Sequence, residues 1–150
     1  GRIAISYALK YPVESLILVS SAGIKHFSIK LKYKIYKYKF RKFMYKIFNK
    51  KKLYELMSQS GSSDYKNASS VMKKTMTNVI NIDLKNEIGK LNCKVLLFWG
   101  FNDSTTPLAD GIYMNEHIKD SKLVIFYNSG HFPYLDEPDK FTKAIVNGVV

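Results

Sequence analysis

The sequence predicts an α/β fold, a parallel sheet whose strands alternate with helices, interrupted by an inserted helical segment. Three observations carry this. Nearly continuous apolar runs at 15–19, 95–99 and 123–127 have the pattern of parallel strands buried on both faces. Residues at helical spacing follow each of the last two runs and precede the first. A stretch of different character, rich in lysine and aromatic residues, separates the first run from the second.

Each element has its own local reason. Arg2 to Lys10 places Ile3, Ala4, Tyr7 and Ala8 at helical spacing, and Pro12 terminates the helix. The strand Ser15-Leu16-Ile17-Leu18-Val19 follows, with Gly23 punctuating its end. Residues 24–90 are expected to form the insertion. Within it Ile29, Tyr33, Tyr36, Phe40, Phe43 and Ile47 step by four and three residues, an apolar helical stripe in a lysine-rich background. Ser60-Gly61-Ser62-Ser63 breaks that pattern with good N-cap residues, and helical spacing resumes at Val71, Met72, Met76, Val79 and Ile80. From 91 to 150 strand and helix alternate again. Val95–Trp99 ends at Gly100, a helix runs from Ile112 to Ile118, and Leu123–Tyr127 ends in Asn128-Ser129-Gly130. Pro138 suits the first position of a last helix, with Asp136, Glu137 and Asp139 favouring its dipole and Phe141, Ala144 and Ile145 forming its apolar face. The expected division is therefore 1–23, 24–90 and 91–150.

Composition narrows the class. Hydrophobic residues make up 46% of the 150, which excludes a disordered tail. No apolar run approaches the roughly 20 residues that cross a bilayer. The net charge is +12, and it is local: twelve basic and no acidic residues lie between Lys25 and Lys52, leaving twelve of each sign elsewhere. The single cysteine, Cys93, has no internal partner and is expected to be a buried structural thiol, which fits a reducing, cytoplasmic compartment. A chain opening Gly1-Arg2-Ile3, with neither initiator methionine nor signal peptide, reads as part of something longer.

Functional groups in open parallel sheets gather at the carboxyl ends of the strands. Asp103 lies four residues after Trp99, and His131 lies four after Tyr127, each beyond a glycine. If the two strands are neighbours, the carboxylate can fix the imidazole tautomer and stabilise its protonated form, as a histidine base requires. No His/Cys/Asp cluster has metal-ligand spacing, and no cofactor is expected. His117 is expected to be exposed, His26 merits no site, and Asp136 and Glu137 are read as helix-start residues.

These two loops resemble the α/β-hydrolase family. Trp99-Gly100-Phe101-Asn102-Asp103 with Thr106-Pro107-Leu108 looks like its acid loop, and Gly130-His131-Phe132-Pro133 through Glu137-Pro138 and Phe141 like its histidine loop and last helix. Gly1-Arg2-Ile3-Ala4 looks like the start of the helix leaving its nucleophile elbow. The resemblance implies the order nucleophile, acid, histidine, with the nucleophile about three residues upstream of Gly1 and the oxyanion-hole donors also outside the chain. It further implies a lid where the insertion falls, with the aromatic stripe packed over a substrate pocket. The family's alternative acid position, after the first strand, holds Ser20-Ser21-Ala22-Gly23 and no carboxylate; neither serine has the sharp turn of a nucleophile.

The function so implied is hydrolysis of an ester, amide or similar small acyl substrate. An aspartate nucleophile would instead serve dehalogenation or epoxide opening, and carbon–carbon hydrolysis uses the same scaffold. The rival reading is a non-catalytic module in which residues 25–52 contact a membrane surface or a polyanion. A small-molecule partner is expected and nucleic acid is not, with weak membrane contact through the basic segment as a further expectation.

Overall fold

The computed structural model describes residues 1–26, 29–59 and 62–149, with the side chains of 29–31 and 149 left aside. It divides into two compact units, one of residues 1–25 and 82–150, the other of residues 26–81.

The first unit is the sheet. Helix α1 (Arg2–Ala8) precedes strand β1 (Ser15–Val19). Beyond the second unit's residues come a short 3-10 turn (Ile88–Lys90) and strand β2 (Lys94–Gly100). All three strands are parallel, in the order β1-β2-β3, where β3 is Ser121–Phe126. β2 is central, and Val95 to Gly100 are all buried, because hydrogen-bonded strands flank it and side chains cover both its faces. On one face Val95, Leu97 and Trp99 join Ile5, Leu18, Ile88 and Met114 in the larger core; on the other Leu96 and Phe98 pack with Phe126. The expectation of burial on both faces holds for β2 only. β1 is an edge strand whose Ile17 is 40% exposed, and the middle of β3 is half-buried. Strand β3 also ends one residue earlier than the apolar run, since Tyr127 turns out into solvent against Phe101.

Helix α6 (Leu108–His117) begins earlier than its apolar members indicated. Among the second unit's helices, α2 (Ile29–Phe48) spans the predicted stripe, α3 is Lys50–Ser58, α4 is Ser63–Asn67 and α5 is Ser70–Asn81. The side chain of Asn49 caps α3 by accepting from Lys52 N–H, and that of Ser62 caps α4 from Tyr65 N–H. Ser60 and Gly61 of the predicted break lie outside the described residues. The unit is narrower than the expected 24–90, because Ile24, Leu84 and Ile88 belong to the sheet's core. No described residue from 26 to 81 is buried. Of the stripe expected to pack over a pocket, Tyr33, Tyr36, Phe40, Phe43 and Ile47 are exposed, from 55% at Phe40 to 70% at Tyr36, and the side chain of Ile29 lies outside the described residues. No helix among the described residues is long and apolar enough to cross a membrane.

The chain closes with α7 (Pro133–Asp136) and α8 (Pro138–Val149), the latter starting on the proline as predicted. Cys93 is half-buried, not buried, and burial pushes its thiol up, followed by the effect of Asp120.

Candidate active site

β2 and β3 are neighbours, and the backbone continues to knit beyond their ends. Phe101 N–H donates to Phe126 O at 2.8 Å and Asn102 N–H to Ser129 O at 3.0 Å. Gly100 makes this approach possible. A Cβ there would collide with the Gly130 carbonyl oxygen and lie 2.6 Å from that of Ser129. The loops after the two strands are thereby held side by side.

Across that junction His131 Nδ1 lies 2.9 Å from Asp103 Oδ2. The Asp103 side chain is wholly buried, whereas 31% of the His131 side chain is exposed. Asp103 uses its two oxygens differently. Oδ1 accepts from Thr105 N–H at 2.8 Å and Thr106 N–H at 2.9 Å, closing the turn; Oδ2 faces the imidazole and accepts from the Thr106 hydroxyl at 2.8 Å. Burial pushes this carboxyl up, but the hydrogen bonds from His131, Thr106 and Thr105 outweigh it and bring it down to about 2. A carboxylate has no proton to give, so Nδ1 is the donor and Nε2 is the nitrogen left to accept one.

Thr106 ties the pair to the rest of the sheet. Its hydroxyl also lies 3.0 Å from Ser20 O and 3.3 Å from His131 Nδ1, and its carbonyl accepts from Trp99 Nε1 at 2.8 Å. Ser20 follows β1 with φ 42°, in the left-handed region. The ends of all three strands therefore meet at one threonine. Ser20 and Ser21 are buried, and neither hydroxyl has a hydrogen-bond partner among the described residues.

The fold and this geometry can be set beside known proteins. No family model matches the chain. Over 62 residues it is 37% identical to a pimeloyl-[acyl-carrier protein] methyl ester esterase of Nitrosomonas europaea, covering 41% of this chain and 25% of that one. It is 23% identical to the 2-hydroxy-6-oxo-6-phenylhexa-2,4-dienoate hydrolase of Comamonas testosteroni over 98% of this chain and 58% of that one. A solved α/β hydrolase from a lagoon-sediment metagenome of Mar Chica, Morocco, superposes over 97% of this chain and 55% of its own, with TM-score 0.63 and 17% identity. The chain is an α/β-hydrolase-fold protein. It spans between a quarter and six-tenths of the length of these relatives.

Within this α/β-hydrolase sheet the two residues singled out from sequence are brought together, and other groups support them. Asp136 and Glu137, read as helix-start residues, also hold the histidine loop. Asp136 Oδ2 accepts from Gly130 N–H at 2.8 Å, and Glu137 Oε1 accepts from the Ser129 hydroxyl at 2.8 Å and Asn128 N–H at 3.2 Å. The Ser129 hydrogen bond leads the effects that hold the Glu137 carboxyl below the usual range. His117 is exposed, stacked on Tyr113 and bonded to its carbonyl, far in sequence from either loop. Among the described residues no group of three or more His, Cys, Asp or Glu is placed to hold a metal ion.

Proposed function

We propose that the whole protein is a hydrolase of an ester, amide or similar small acyl substrate, and that this chain supplies its acid and its histidine. The reading rests on one observation: a partly exposed imidazole whose Nδ1 is engaged by a buried carboxylate at 2.9 Å, at the ends of adjacent parallel strands. In this proposal His131 Nε2 takes the proton of a nucleophile carried upstream of Gly1 and returns it to the leaving group. Asp103 fixes the tautomer and stabilises the imidazolium without taking the proton itself. The names of two relatives, a methyl ester esterase and a dienoate hydrolase, support hydrolysis as the reaction class.

The test is kinetic and needs the full-length protein. With a small activated ester as substrate, His131→Ala is expected to lower kcat by about 10⁴-fold or more while circular dichroism and Trp99 fluorescence show the variant still folded. A variant that folds and turns over near the wild-type rate would remove His131 from the chemistry.

A further inference from the structure

The second unit presents an exposed apolar face among its described residues. In α2, Tyr33, Tyr36, Phe40, Phe43 and Ile47 fall within an arc of roughly 80° at the α-helical turn of about 100° per residue. All five are more than half exposed. The same geometry sets Lys39 and Lys46 along one border of the stripe and Lys37 and Arg41 along the other. The whole helix contains eight basic and no acidic residues. Such a helix is too polar to enter a bilayer core, and none of the described helices qualifies as a span.

We propose that α2 lies along the surface of an anionic lipid bilayer, its aromatic stripe set into the headgroup–acyl boundary and its bordering cations among the lipid charges. Two features select this occupant. First, charge is complementary: the excess of the entire chain falls in 25–52, a segment with no acidic residue of its own. Secondly, the stripe is aromatic. Tyr and Phe suit an interface that is apolar on one side and wet on the other, and cations on both borders reach the lipid phosphates from the same orientation. A purely electrostatic partner would use the lysines and leave the five apolar side chains in water. With no buried residue in the unit's described part, these side chains have no competing core. The inference is independent of the proposed chemistry.

Flotation of the chain with vesicles tests it. Phosphatidylcholine vesicles containing roughly 30 mol% phosphatidylserine are compared with pure phosphatidylcholine at low salt. Binding to the anionic vesicles is expected to be at least about tenfold stronger, and to fall about tenfold in Phe40→Ala/Phe43→Ala. Lys37→Gln/Lys39→Gln is expected to weaken it by about fivefold per cation removed. Unchanged fluorescence of the buried Trp99 and unchanged helical circular dichroism show that the variants are folded. Three results would overturn the proposal. These are equal binding to neutral and anionic vesicles or none to either, full retention in the Phe pair variant, and a stripe-dependent dimer in sedimentation that excludes vesicles. A single-stranded oligonucleotide bound more tightly than the vesicles, with the same dependence on Phe40 and Phe43, would reassign the surface to nucleic acid.

Discussion

Asp103 carries two tasks that compete in sequence reasoning and coexist in the molecule. An aspartate four residues after a strand is commonly a turn former, and Oδ1 does close the turn at Thr105 and Thr106. Oδ2 remains for the imidazole. The pH consequence has a definite sign. Because the folded carboxyl titrates at about 2, below its ordinary 3.8, its contribution to stability is complete above about pH 4 and is lost as pH falls through 2. Asp103→Asn lacks this titration, so denaturant midpoints measured from pH 5 down to pH 2 should fall less steeply in the variant than in the wild type. Equal slopes would show that the carboxyl is not depressed. Asp103 and His131 were legible because each stands a fixed distance beyond a strand and a glycine. Thr106 was not, although it stands in the acid-loop motif, because its partners include a carbonyl 86 residues away. Nothing local distinguishes a hydroxyl that joins three strand ends from one in an ordinary turn.

At the scale of elements, the strand centres were legible because a buried parallel strand leaves little choice of residue. β2 shows this most fully, with six consecutive buried positions. Boundaries and edges were less so. Tyr127 continues the apolar run of β3 yet leaves the sheet, and Ile17 is apolar on an edge strand with an open face. The roles of Asp136 and Glu137 were missed because helix-dipole chemistry already accounts for acids at that place. Their bonds to the loop before His131 appear only in three dimensions. Gly100 matters at this scale, since it sets how closely the loops after β2 and β3 approach. Gly100→Ala should destabilise the chain by about 3 kcal/mol or more, as overpacking against fixed backbone does. A denaturation curve indistinguishable from wild type would mean that the β2–β3 junction has room the structure does not show.

The whole molecule is uneven in what holds it together. The sheet unit has two apolar clusters and the chain's one tryptophan, fully buried in the larger of them. Residues 26–81 have helices, caps and local pairs but no buried side chain among those described. Helices without a buried face gain little from packing and unfold at low cost. In a urea titration, part of the far-ultraviolet helical signal should therefore disappear before Trp99 fluorescence shifts; coincident transitions would mean that the two units unfold as one. The sequence already hinted at this division through its charge, since the entire basic excess lies in one segment. It could not show that the aromatic stripe stands open, because a stripe at helical spacing looks the same covered or bare.

Whether Asp103 and His131 act as one proton-handling unit is decided by a double-mutant cycle in the full-length protein. The kcat/KM of His131→Ala, Asp103→Asn and the double variant are compared on one small ester. If the carboxylate acts only through the imidazole, the double variant is no slower than His131→Ala alone, so the separate losses fail to multiply. Losses that multiply in the double variant would mean that the two residues act separately.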